Sequence, residues 1–154
     1  MDYVVVKWLH ILSSTFLFGT GIGSAWYMLF ANVSKDVRAI AVVAKYVVIA
    51  DWLFTATTAI LQPATGFYMI HLAGYPIHSK WIMWSIALYV LAGACWLPVV
   101  WLQIRMRGFA QDAVKAGTEL PPIYWRYLRY WVLLGIPAFL ALVVVFYLMV
   151  AKPA

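Results

Sequence analysis

The chain has 154 residues, 66% of them hydrophobic and only 10% charged, with a formal net charge of +6 and a mean hydropathy of +0.89. A soluble domain of this size has too little polar surface to cover that much apolar side chain, so a lipid bilayer is the expected solvent. The single cysteine, Cys95, excludes an internal disulfide and any multi-cysteine metal centre, and the basic excess reads as membrane topology rather than as a nucleic-acid surface.

About 20 apolar residues cross a bilayer once, and the chain holds four such runs. The fold class is therefore all-α: an integral membrane four-helix bundle, with residues 1–154 forming one transmembrane domain. The first helix is expected over about 3–31. Its apolar run is too long for the core of a signal peptide and lacks a small-residue cleavage site, so it reads as a retained span. Asn32-Val33-Ser34-Lys35-Asp36 is a polar break. The second helix covers about 39–72 and ends before the turn Gly74-Tyr75-Pro76. The third covers about 80–106. A polar connection through Gly108, Gln111, Asp112, Lys115, Gly117 and Glu119 leads to Pro121-Pro122, which suits a helix start. The fourth covers about 123–150.

Most of the 11 basic residues cluster after the first and third helices: Lys35, Arg38, Lys45, Arg105, Arg107, Lys115, Arg126 and Arg129. Lys7, Lys80 and Lys152 fall on the other side. The positive-inside rule then places both termini on the non-cytoplasmic side of a cell inner (plasma) membrane. Trp8, Trp81 and Trp84 would flank the outer boundary, and Tyr124, Trp125, Tyr127 and Tyr130 the inner one. His10, His71 and His78, the only histidines, gather at the outer end with Lys7 and Lys80.

His10 lies about 10 Å inside its helix at 1.5 Å per residue. An ionisable residue inside a span is costly and marks a functional site. Its face carries Lys7, His10, Ser14, Leu17, Gly21 and Ser24. Gly19 and Gly23 form a small-xxx-small pair, which suits close helix packing or room for a flat cofactor. On the second helix Asp51, Thr55, Thr58, Gln62 and Thr65 recur at four, three, four and three residues. That is one helical face, expected to be buried in the bundle as interhelical hydrogen bonds, a proton path or cofactor contacts. Pro63 is expected to kink it. Asp51, far from His10, is expected to form an ion pair with Arg129 or Lys45. His71 lies about 120° off this face at 100° per residue.

An imidazole in a helical bundle serves as a haem or metal ligand, a proton carrier or a satisfied core group. The first reading is a b-type haem, non-covalent because there is no covalent attachment motif. His10 would be an axial ligand and Lys7 and Lys80 would hold propionates, with Gln62, Thr65 and His71 as supporting groups or alternative ligands. The alternative is a copper site on His10, His71 and His78, disfavoured by the absence of a Met or Cys cluster. A third reading is a structural subunit whose polar face packs against a partner. Besides the bilayer, a second copy of the chain, a redox partner or a quinone are the expected partners.

Lys7-Trp8-Leu9-His10-Ile11 resembles the K-x-L-H-I start of the HemJ family. Ile77-His78-Ser79-Lys80 and Val150-Ala151-Lys152-Pro153 resemble its L-H-x-K and V-x-K-P motifs. That resemblance implies haem b binding and protoporphyrinogen oxidase activity, with the ligand role on His10 and an activity role on Lys80. The stretch 14–32 departs from the HemJ pattern, having no Arg and no second His. The whole chain is closer to an uncharacterised family of small four-helix predicted integral membrane proteins with the same Lys-x-x-His start and a D-W-x-F-T pattern, here Asp51-Trp52-Leu53-Phe54-Thr55. The CopD copper-resistance family has a similar opening, which implies a metal-linked bundle.

Overall fold

A computed structural model describes residues 2–153. These form four long helices and no strand: α1 (Tyr3–Ser34), α2 (Val37–Ala73), α3 (Lys80–Ala116) and α4 (Pro122–Ala151). Each is long and apolar enough to cross a membrane, as the four apolar runs predict.

The helix ends follow local chemistry. α1 stops at Lys35, which adopts the left-handed conformation at φ 57°. Asp36 then caps α2 by accepting hydrogen bonds from the amides of Arg38 and Ala39. Gly74 and Gly117, at φ 66° and 65°, close α2 and α3. At both, paired backbone bonds tie the next two amides back into the last turn, as Thr118 N to Ala113 O (3.0 Å) does after α3. Pro121 and Pro122 open α4, as expected.

Two helices outrun their sequence boundaries. α1 continues through the polar stretch to Ser34 and buries Asn32. α3 runs to Ala116 instead of ending at 106. Gly108, Gln111 and Asp112 give this segment the composition of a loop, but Met106, Ala110 and Ala113 continue one apolar face into the core. Burial of that face outweighs the weak local preference against helix.

α1 lies along α2, and α4 along α3. The two hairpins are joined where the first half of α2 packs on α3. That junction is the core, built from Met28, Ile40, Ala44, Val47, Leu102, Met106, Ala110, Tyr124 and Trp131. Tyr124 is fully buried, and its hydroxyl donates to Asn32 Oδ1 at 2.6 Å. It is therefore a core residue and not part of an interfacial aromatic belt. The i, i+3 and i+7 positions Tyr124, Tyr127 and Trp131 all lie in or against the core, which composition alone does not reveal. Tyr124→Phe strands the Asn32 carbonyl without its donor in a dry core. Stability should fall by roughly 1–3 kcal/mol, read as a lower thermal midpoint in detergent. An unchanged midpoint would mean that water reaches the pair.

Away from this core the hairpins separate and single contacts hold them. Tyr89 on α3 donates to the Ala59 carbonyl on α2 at 2.7 Å. Phe18 on α1 meets Phe139 and Phe146 on α4, with centroids 5.5 and 5.1 Å apart. Lys152 Nζ donates to the Tyr75 hydroxyl at 3.1 Å and lies over the Trp81 ring. The end of α4 thus sits beside the α2–α3 turn, at the end of the bundle where α1 begins.

α2 is interrupted by a π-helical turn at Asp51–Thr55, where the Ala56 amide bonds the Asp51 carbonyl five residues back. Such a widened turn rotates the helix face and recurs at functional sites. Gly19, Gly21 and Gly23 do not form a packing seam within the chain, because a Cβ on any of them would meet nothing within 4 Å. The close approach is at Gly66, which the sequence did not single out.

Candidate functional site

The polar face of α2 is buried, as its spacing predicts. Asp51, Thr55, Thr58 and Gln62 are each less than a tenth exposed, and Thr65 is half-buried. It divides into two clusters. Thr58 turns back onto its own helix, donating to the Phe54 carbonyl at 2.5 Å. The clusters are about 16 Å apart, measured along α2 from Asp51 to Gln62 at 1.5 Å per residue.

The first cluster centres on His10. Its Nδ1 lies 2.7 Å from Thr65 Oγ1. The Thr65 hydroxyl also lies 2.6 Å from the Leu61 carbonyl and 3.2 Å from the Gln62 carbonyl of its own helix. With its one proton on either carbonyl, the hydroxyl oxygen accepts from Nδ1–H, the tautomer that frees Nε2 to ligate. Nε2 is left with its lone pair and no protein partner among the described residues. Gly66 makes room for the ring. A Cβ there would come within 3.3 Å of His10 Cε1.

The backbone beneath the ring is held as well. Gln62 Nε2 donates to the His10 carbonyl at 2.8 Å and to Ser13 Oγ at 2.5 Å, and Ser13 Oγ donates to the same carbonyl at 3.1 Å. Ser13, 6% exposed, is a member of the site that sequence reasoning missed. Ser14, assigned to that face instead, bonds the Ile11 carbonyl of its own helix. Both serines fall within about 60° of His10 at 100° per residue, so the facing one depends on how α1 is rotated against α2.

The other expected ligands share this end of the bundle without joining His10. His71 is exposed in the last turn of α2, and His78 is exposed in the turn before α3. No group of three or more His, Cys, Asp or Glu side chains placed to hold a metal ion occurs among the described residues. Lys7, one turn before His10, and Lys80, opening α3, are both exposed.

The second cluster lies deeper. Thr55 Oγ1 donates to Asp51 Oδ1 at 2.9 Å, and Gln103 of α3 sits beside the same carboxyl group. The expected ion pair with Arg129 or Lys45 is not formed, because both of those side chains are exposed while Asp51 points inward. The carboxyl group is served by the Thr55 hydroxyl instead. Asp51, Thr55 and Gln103 stand at one end of a cavity of about 680 Å³ between the two hairpins. Leu17, Phe18, Trp96, Trp131 and Phe139 are among its walls. Cys95 is a free, half-buried thiol nearby in the sequence of α3, and it does not line the cavity.

One family matches the chain across residues 4–153, that of the predicted integral membrane proteins designated DUF2269. No curated protein and no solved structure matches.

Proposed function

The chain belongs to the DUF2269 family of predicted integral membrane proteins, and on that premise we propose that it binds a b-type haem through His10 and acts in membrane redox chemistry. The observation that carries this reading is the His10–Thr65 pair. With the Thr65 proton on a carbonyl of its own helix, the hydroxyl accepts from Nδ1–H and leaves Nε2 as a nitrogen lone pair inside a membrane helix pair. Histidines that ligate metal are held in this way, with the distal ring nitrogen donating to a fixed acceptor.

The donor set fits the group. One imidazole suffices as an axial ligand of a non-covalent haem, whereas a three-histidine copper site would need ligands that lie apart here. Lys7 and Lys80, at the same end, supply cations for propionates or for an anionic tetrapyrrole substrate. His71, the one histidine of α2, is the candidate second ligand at the same end of the bundle. When bound, haem supplies one-electron transfer at an iron whose potential its axial ligand tunes. The protein's own part is to hold His10 against rotation, through Thr65 and Gly66 at the ring and Gln62 and Ser13 at the backbone. By the charge distribution, the histidine end faces the non-cytoplasmic side of the inner membrane and the Tyr124 core lies at the cytoplasmic side.

The test is the visible absorption spectrum of the detergent-purified protein after haem-replete expression, oxidised and then reduced with dithionite. A Soret band with a sharp reduced α-band is expected. A colourless protein would overturn the reading.

A further inference from the structure

We propose that the cavity between the hairpins is a second, separate site, which binds a quinol with its ring toward Asp51 and Gln103. The proposal is independent of haem at His10, which does not line this space.

The cavity is graded in polarity. Its lining runs along α3 from Tyr89 to Gln103, about 21 Å of helix at 1.5 Å per residue. Asp51 and Gln103 stand together, Trp131 lines the space and belongs also to the core, and at the other end the one polar side chain, Tyr89, has its hydroxyl bonded to the Ala59 carbonyl. The space is real to side chains: a Cβ added to Gly21, Gly93 or Gly135, all of which line it, would meet nothing within 4 Å. Its volume is that of an ordinary small-molecule site.

Two buried polar atoms on this lining have no partner. They are Gln103 Oε1 and Trp131 Nε1, on side chains 4% and 7% exposed. Native interiors leave few such groups, and each calls for an explanation. Here one is an acceptor and the other a donor. The reduced quinol ring answers both, with one hydroxyl oxygen accepting from the Trp131 indole and a hydroxyl proton donating to Gln103 Oε1. Phe18, Trp26, Trp96 and Phe139 give the flat apolar walls that a ring packs against. An alkyl chain alone would leave both atoms unsatisfied. A phospholipid head is a poor occupant, since the lining holds a carboxyl group and no Lys or Arg.

The experiment titrates decylubiquinol and, separately, menadiol, both held reduced under anaerobic conditions, into the full-length purified protein and follows tryptophan fluorescence, since Trp26, Trp96 and Trp131 line the site. Saturable quenching by at least one of the two is expected. Gln103→Leu should weaken it about tenfold, the loss of one hydrogen bond's worth of affinity. Gly93→Leu and Gly135→Leu, which fill the space from two different helices, should each abolish saturation, and either one suffices if the other fails to fold. His10→Ala should leave the titration unchanged, which separates this site from the haem reading. Quenching that never saturates, or that is equal in the filled variants, is partition into the micelle and overturns the proposal. So does displacement of the quinol by a simple alkyl alcohol of the same chain length at equal concentration.

Discussion

Replacing His10 with Ala is expected to give a folded protein that no longer holds haem, and replacing Thr65 with Val to give one that holds it about 10–100 times more weakly. The two variants separate ligation from support. His10→Ala deletes the only imidazole placed inside a helix pair, so the reduced α-band should vanish entirely. The fold should survive, because only one interhelical hydrogen bond is lost and such bonds in membranes average roughly 0.6 kcal/mol. The Thr65 hydroxyl keeps its bond to the Leu61 carbonyl at 2.6 Å, so no buried donor is stranded. Thr65→Val preserves side-chain shape and removes the acceptor. The ring then loses the contact that selects its tautomer and orientation, while the ligating nitrogen remains. The measurement is haem affinity by Soret titration, beside circular dichroism to confirm helix content. Equal affinity in wild type and His10→Ala would place the haem elsewhere. Equal affinity in wild type and Thr65→Val would show that the hydrogen bond merely packs the helices.

The sequence reveals the lipid-facing architecture more readily than the site. Four apolar runs and the turn chemistry at Gly74 and Pro121-Pro122 suffice for the four helices, because spanning a bilayer admits few alternatives. The four-three spacing of Asp51, Thr55, Thr58 and Gln62 identifies a buried face for the same reason: lipid would not tolerate it. His10, Gln62 and Thr65 are also legible one by one. What joins them is not. The pairing of His10 with Thr65 depends on the rotation of α1 about its own axis, which periodicity leaves free within about one residue, and that freedom is what exchanged Ser14 for Ser13. The end of α3 was hidden by a segment whose composition is that of a loop but whose packing is that of a core. The π-helical turn at Asp51–Thr55 has no residue signature of its own. The cavity is a property of how two hairpins diverge, and no single stretch of chain encodes it.

The glycines give the sharpest contrast between a motif and its use. Gly19 and Gly23 have the spacing that lets membrane helices touch, yet both stand in open space, whereas Gly66 carries no motif and bears the close contact. Substitutions at the two kinds of position should therefore act in opposite ways. At Gly66 a Leu side chain begins 3.3 Å from His10 Cε1, tighter than ordinary van der Waals contact. The imidazole must swing away, which breaks its bond to Thr65, or α1 must move off α2. Overpacking of this kind costs typically 1–3 kcal/mol, and either outcome removes the oriented Nε2. Gly66→Leu should thus lower the thermal midpoint and lose the haem spectrum as completely as His10→Ala. Gly19→Ala meets no neighbour and replaces the poorest ordinary helix former with the best, a change worth about 1 kcal/mol in favour of the helix. Its midpoint should be unchanged or higher, with the spectrum intact. If Gly66→Leu instead kept a wild-type spectrum, the ring would not be seated over that glycine, and the oriented Nε2 on which the haem reading stands would lose its geometric basis.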